Sequence, residues 1–130
     1  MLTEGIEGKR EIIVTAEKSA RAMGSGELEV FATPALAALI EETAWRSVAP
    51  ELEDGQGTVG TRLELDHLAA TPLGMSVRCE TVLTAVDRRR LTFTAEVYDE
   101  AGLIGKAVHE RFIVDNAKFQ AKADGKKVEK

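Results

Sequence analysis

The chain has 130 residues, 44% of them hydrophobic, enough for one core and too few for two ordinary domains. Its formal net charge of -5 argues against nucleic acid as a partner, because a phosphate-binding surface needs a cationic excess. No apolar stretch approaches a membrane span, and Met1 to Gly8 holds no signal-peptide core, so a cytoplasmic protein that does not engage the membrane is expected.

In chain order, the β-branched run from Lys9 to Thr15 predicts a short strand. Ala20 to Glu27 reads as a loop, with Gly24-Ser25-Gly26 as its most flexible point. Thr33 to about Val48 is the one good helix. Thr33 can cap it, Pro34 suits its first position, Ala-Leu-Ala-Ala-Leu-Ile propagates it, and Pro50 ends it. The pattern then changes to period two, with strands expected over Thr58–Asp66, Met75–Val86, Leu91–Tyr98 and Ile104–Val114. Thr71 to Gly74, Asp87 to Arg90 and Asp99 to Gly102 have turn composition, and the last two are short enough for hairpins. This order predicts an α+β domain over residues 1–115, with four of its strands in a meander against one helix. Residues 116–130, where five Lys face Asp124 and Glu129, read as a polar tail.

Cys79 is the only cysteine, which excludes an intrachain disulfide and a cysteine metal cluster. It falls on one side of an alternating strand with Val77, Thr81 and Leu83, and reads as buried filler. On a helical wheel Leu36, Ile40, Thr43 and Ser47 form the buried stripe. Glu41 lies at the border of that stripe and Glu42 points away into solvent. A carboxylate at such a border either snorkels to water or serves as base or nucleophile. His67 continues the face of Val59, Thr61, Leu63 and Leu65 to the strand's end, where an inward side chain meets the rim of the sheet. It is either a hydrogen-bonded core histidine or a catalytic one. His109 is expected to face outward, alternating with inward Val108 and Phe112. Thr33 has a capping role open to it, and also a functional one, because a helix N-terminus can polarise a carbonyl. Two separated histidines without a cysteine cluster leave no metal-ligand set, and no cofactor is called for.

Thr33 and Glu41 on the sole helix, with His67 at the end of the following strand, resemble the fluoroacetyl-CoA thioesterase family. The stretch Phe31-Ala32-Thr33-Pro34-Ala35-Leu36-Ala37-Ala38-Leu39-Ile40-Glu41-Glu42 carries the likeness, which extends from about Ile12 to Val114. The resemblance implies a hotdog fold, in which an antiparallel sheet of about five strands wraps one long helix. It implies a homodimer, which can stack further to a tetramer, because pairing covers the otherwise open strand edges. It also implies hydrolysis of an acyl-CoA thioester by Thr33, Glu41 and His67, with Gly60 and Arg111 matching substrate-binding positions and Phe31 in the acyl pocket. The family's fluoroacetyl-specific enzyme has a phenylalanine-rich lid before the helix. Here that segment is Ala22-Met23-Gly24-Ser25-Gly26-Glu27, which points to a different small acyl group or looser selection.

On this reading the carbonyl sits at the helix N-terminus, polarised by Thr33 and backbone amides. Glu41 attacks it or activates water, and His67 orients water or stabilises the leaving thiolate. The main alternative keeps the fold and drops the reaction, leaving a non-catalytic acyl-CoA-binding module. A hydratase using Asp66 with His67 fails on geometry, since adjacent strand residues point to opposite faces.

Overall fold

The structure, a computed structural model, describes residues 1–127. Five strands form one antiparallel sheet: β1 (Glu7–Ile13), β2 (Gln56–His67), β3 (Ser76–Asp87), β4 (Arg90–Asp99) and β5 (Leu103–Asp115). The helices are a single turn, α1 (Ala20–Met23), the long α2 (Thr33–Val48) and α3 (Asn116–Asp124). Helix α2 packs on β1, β2, β3 and β5 and buries Leu36, Leu39, Ile40, Thr43, Ala44 and Val48, which lie on one stripe at helical spacing.

The first strand begins two residues earlier than its β-branched content suggests and stops at Ile13. Thr15 then hydrogen-bonds the Glu17 carboxylate at 2.7 Å and leads into a 3-10 turn. The expected loop from Ala20 opens with α1, whose first turn is capped by Ser19 Oγ accepting from Ala22 N–H at 3.0 Å. Gly24 ends it at φ 74°, a left-handed position that glycine adopts without a Cβ penalty.

The sheet order is β1-β3-β4-β5-β2, which corrects the expected four-strand meander. Only β3, β4 and β5 follow one another, and β2 pairs with β5 on the far edge. The link from Leu68 to Met75 spans up to about 26 Å when extended, ample for the roughly 14 Å of three strand spacings. Turn composition marks that a chain reverses without marking which strand it returns beside.

A second correction lies within β2. Gly60 pairs with Arg111 and Arg62 with Glu110, so Thr61 is an extra residue in a β-bulge. The bulge changes which parity faces the helix. Leu63, Leu65 and His67 face inward after it, whereas Thr58 and Gly60, not Val59 and Thr61, face inward before it.

The core is two apolar clusters under α2. One gathers Phe31, Leu36, Leu39, Ile40, Val77, Val97 and Ile104; the other gathers Ala44, Val48, Leu83, Leu91, Phe93 and Ile113. Cys79 is fully buried in the first, and burial pushes its thiol up to about 11, too high to supply thiolate at neutral pH. The polar segment after β5 is not all irregular: Asn116–Asp124 is helical, started by Asp115 accepting from Lys118 N–H, with every residue exposed. Residues 128–130 of the expected tail lie outside the described residues. Among the described residues no helix is long and apolar enough to cross a membrane.

Candidate active site

The N-terminus of α2 differs from the sequence expectation in a way that matters for chemistry. Ala32, at φ -75° and ψ 142°, is the N-cap residue, and among the described residues no side chain caps the first turn. Thr33 is the first helical residue, so its hydroxyl is not spent on capping. It lies 2.8 Å from Nδ1 of His67, the last residue of β2. The uncapped turn leaves its backbone N–H groups and the positive end of the helix dipole beside this pair.

His67 is half-buried, and its Nε2 is buried without a hydrogen-bond partner among the described residues. Burial holds the imidazole below the ordinary histidine value of 6.5, against a smaller opposing contribution from the Ala69 backbone. A neutral ring at neutral pH keeps one nitrogen able to accept. A groove of about 300 Å³ beside the pair is lined by Val30, Phe31, Thr33, His67, Leu68 and Ala70. Phe31 itself is 1% exposed and packs into the core. A larger hollow, about 520 Å³, lies on the other face of the sheet among Glu64, Asp66, Glu80, Glu96 and Lys106. Its excess of carboxylates disfavours an anionic ligand.

Glu41 stands elsewhere. Its Oε1 accepts from Arg111 Nη1 at 3.2 Å, and Arg111, 6% exposed, also donates from Nε to Thr58 Oγ1 at 2.8 Å and from Nη2 to the Thr58 carbonyl at 3.0 Å. Burial lowers the Arg111 pKa while Glu41 opposes that shift, and the guanidinium stays charged. Gly60 faces this cluster: a Cβ there would sit 2.6 Å from Glu41 Oε1 and 3.2 Å from Arg111 Nη1. Glu42 does not point freely into solvent as its wheel position suggests. Its side chain is 37% exposed against 45% for Glu41, because it pairs with Arg46 at 2.9 Å and Arg10 at 3.6 Å. The two carboxylates are distinguished by their partners, not by their burial.

His109 corrects the sequence reading outright. It is 1% exposed and faces α2, whereas Val108 and Phe112 are 38% and 41% exposed on the outer face. Its Nε2 is 3.1 Å from Arg111 Nη1. Val108 and Phe112 mimic an inward face by size and apolarity, yet between Lys106 and Phe112 the buried positions are Ala107, His109 and Arg111. One chain therefore brings together Thr33 with His67, and separately Glu41 with Arg111, His109, Thr58 and Gly60.

The sequence profile of the family described as fluoroacetyl-CoA-specific thioesterase matches residues 14–117. The fluoroacetyl-CoA thioesterase of Streptantibioticus cattleyicolor is 40% identical over 94 residues, 72% of this chain and 68% of that protein. A crystal structure of a mutant of the fluoroacetyl-CoA-specific thioesterase FlK, in complex with fluoroacetate and CoA, superposes with a TM-score of 0.86 at 32% identity, covering 91% of this chain and 99% of that one. A hot-dog-like protein from Thermanaerovibrio acidaminovorans, 19% identical, shares the fold with a TM-score of 0.89 over 99% of this chain and 96% of its own. The chain has the hotdog fold, belongs to the fluoroacetyl-CoA-specific thioesterase family and is a thioester hydrolase.

Proposed function

We propose that the protein is a cytoplasmic enzyme that hydrolyses a short acyl-CoA to the free acid and CoA, in a centre built from two copies of the chain over residues 1–115. Thr33 and His67 of one copy face Glu41, Arg111 and Gly60 of the second. The observation that carries this reading is the 2.8 Å contact between Thr33 Oγ1 and His67 Nδ1 at an uncapped helix N-terminus. The twelve-residue strand β2 lies at a sheet edge with no strand beyond it among the described residues, the kind of edge that a second copy covers.

In this centre the thioester carbonyl lies at the start of α2. Thr33 and the first-turn N–H groups stabilise the oxyanion. Glu41, oriented by Arg111, either attacks the carbonyl carbon to form a mixed anhydride that water then hydrolyses, or takes a proton from a water that attacks that carbon; in both cases the C–S bond breaks and His67 assists departure of the CoA thiolate. The lid segment from Ala22 to Glu27 is exposed and, with Leu28 just after it, offers Met23 and Leu28 in place of a phenylalanine cluster, which supports a small acyl group other than fluoroacetyl or a broader range.

The test is CoA release from a panel of short acyl-CoAs, fluoroacetyl-CoA and acetyl-CoA included, by the purified protein and by Thr33→Ala and Glu41→Ala. Turnover with loss of activity in both variants is expected. Undiminished turnover in either variant overturns the site, and tight binding without turnover by the unaltered protein overturns the reaction in favour of an acyl-CoA-binding module.

A further inference from the structure

We infer that His109 is a positioning residue, which takes one N–H of Arg111 and thereby aims the other N–H of the same nitrogen at Glu41. The inference rests on the reading of Glu41 as part of the reacting centre. Three contacts carry it. His109 Nδ1 lies 2.8 Å from the Arg62 carbonyl, and Nε2 lies 3.1 Å from Arg111 Nη1. A carbonyl only accepts and a guanidinium only donates, so Nδ1 carries the proton and Nε2 is bare. One neutral tautomer is thereby selected by its two neighbours. Arg111 Nη1 has two hydrogens; with one taken by His109, the other is left for Glu41 Oε1 at 3.2 Å.

The surroundings make this arrangement rigid. The ring lies tilted at 31° against Phe93 with centroids 6.2 Å apart. The Arg62 carbonyl that holds Nδ1 belongs to the residue following the bulge in β2. Thr58 holds the Nε and Nη2 side of the guanidinium, and His109 holds the Nη1 corner. Gly60 closes the set, since a Cβ there would lie 3.3 Å from His109 Cε1. Burial, more than any group facing the ring, works against its protonation. Arg111 adds to it, while the Arg62 carbonyl, Glu41 and Glu110 oppose them. A protonated ring would have no acceptor for Arg111 and would set two cations side by side.

A purely structural histidine would affect folding and activity together, and a positioning one separates them. The experiment compares His109→Leu and His109→Gln with the unaltered enzyme. It measures kcat and KM on acetyl-CoA, thermal stability, and the imidazole ¹⁵N spectrum at neutral pH. His109→Leu is expected to lower kcat about tenfold to a hundredfold, the loss associated with one hydrogen bond to a charged group, with KM changed less than about threefold. His109→Gln, whose Oε1 can accept from Arg111, is expected to regain most of kcat whatever its melting temperature. The ¹⁵N spectrum is expected to show Nδ1 protonated and Nε2 bare, with the Nε2 signal moving in Arg111→Met. Equal kcat in the Leu and Gln variants, tracking their stability, overturns the inference, as does a protonated Nε2. Should the unaltered protein hydrolyse no acyl-CoA, the proposed function fails by itself and the ¹⁵N comparison still decides the His109–Arg111 contact.

Discussion

Thr33 and Glu41 occupy the same helix eight residues apart, which is about 12 Å of helical rise, and each bonds a different strand residue: Thr33 to His67 on β2, Glu41 to Arg111 on β5. With the two groups engaged by different strands at this separation, the proposed centre draws them from two copies of the chain. Mixing inactive Thr33→Ala with inactive Glu41→Ala under conditions that exchange subunits should restore activity. In a random mixture half the dimers are mixed, and one of the two sites in each is intact, giving roughly a quarter of the unaltered rate. No recovery after verified exchange would place the whole centre in one chain.

Gly60→Ala tests the cradle around Glu41. The new methyl would press on Glu41 Oε1 at 2.6 Å and on Arg111 Nη1 at 3.2 Å. The ends of those side chains give way more readily than backbone does, so stability should change by less than about 1 kcal/mol. kcat/KM should fall about tenfold to a hundredfold through misplacement of the carboxylate. Denaturant unfolding alongside steady-state kinetics checks the split, and unchanged kcat/KM would count against a role for Glu41.

Acid should destabilise the fold through its two histidines. Both are held below 6.5 in the folded state, chiefly by burial. In the window below 6.5 and above their folded values, the unfolded chain binds more protons, so stability rises with pH. The contribution is complete above 6.5 and is lost as pH falls through the folded values. Urea midpoints measured between about pH 8 and 5 should be level at the alkaline end and decline below 6.5, with a shallower decline in His109→Gln. Midpoints that rise on acidification would contradict the burial of both rings.

Leu36→Ala should weaken the fold without touching the reacting groups. Leu36, on the sheet-facing side of α2, is fully buried, and its Cδ2 comes close to Gly105, where a Cβ would stand 3.2 Å away. Removing the side chain should cost about 2–5 kcal/mol, the range for a buried leucine replaced by alanine. Chemical denaturation measures it, and a loss below about 1 kcal/mol would show that the helix–sheet seam closes around the gap.

Local chemistry alone determined much of this protein. Period-two runs located β2 to β5 to within two residues, and the Thr33 to Val48 helix followed from propensity and proline placement, because both signals are carried by neighbouring residues. The choice of Glu41 and His67 as groups of interest came from the same periodicities joined to a family likeness. Tertiary structure decided what depends on partners distant in sequence. The placement of β2 beside β5 required knowing which edge was open. The bulge at Thr61 reset the inward parity of β2, which no alternating pattern registers. His109 was misread because bulky Val108 and Phe112 looked like core residues, although Arg111, two residues on, was already expected at the site, and residues two apart on a strand share a face. Composition cannot say which face of a strand is buried when apolar residues line the outer one and a paired histidine and arginine line the inner. That was settled only by Arg62, Thr58 and Glu41, arriving from β2 and α2 to satisfy them.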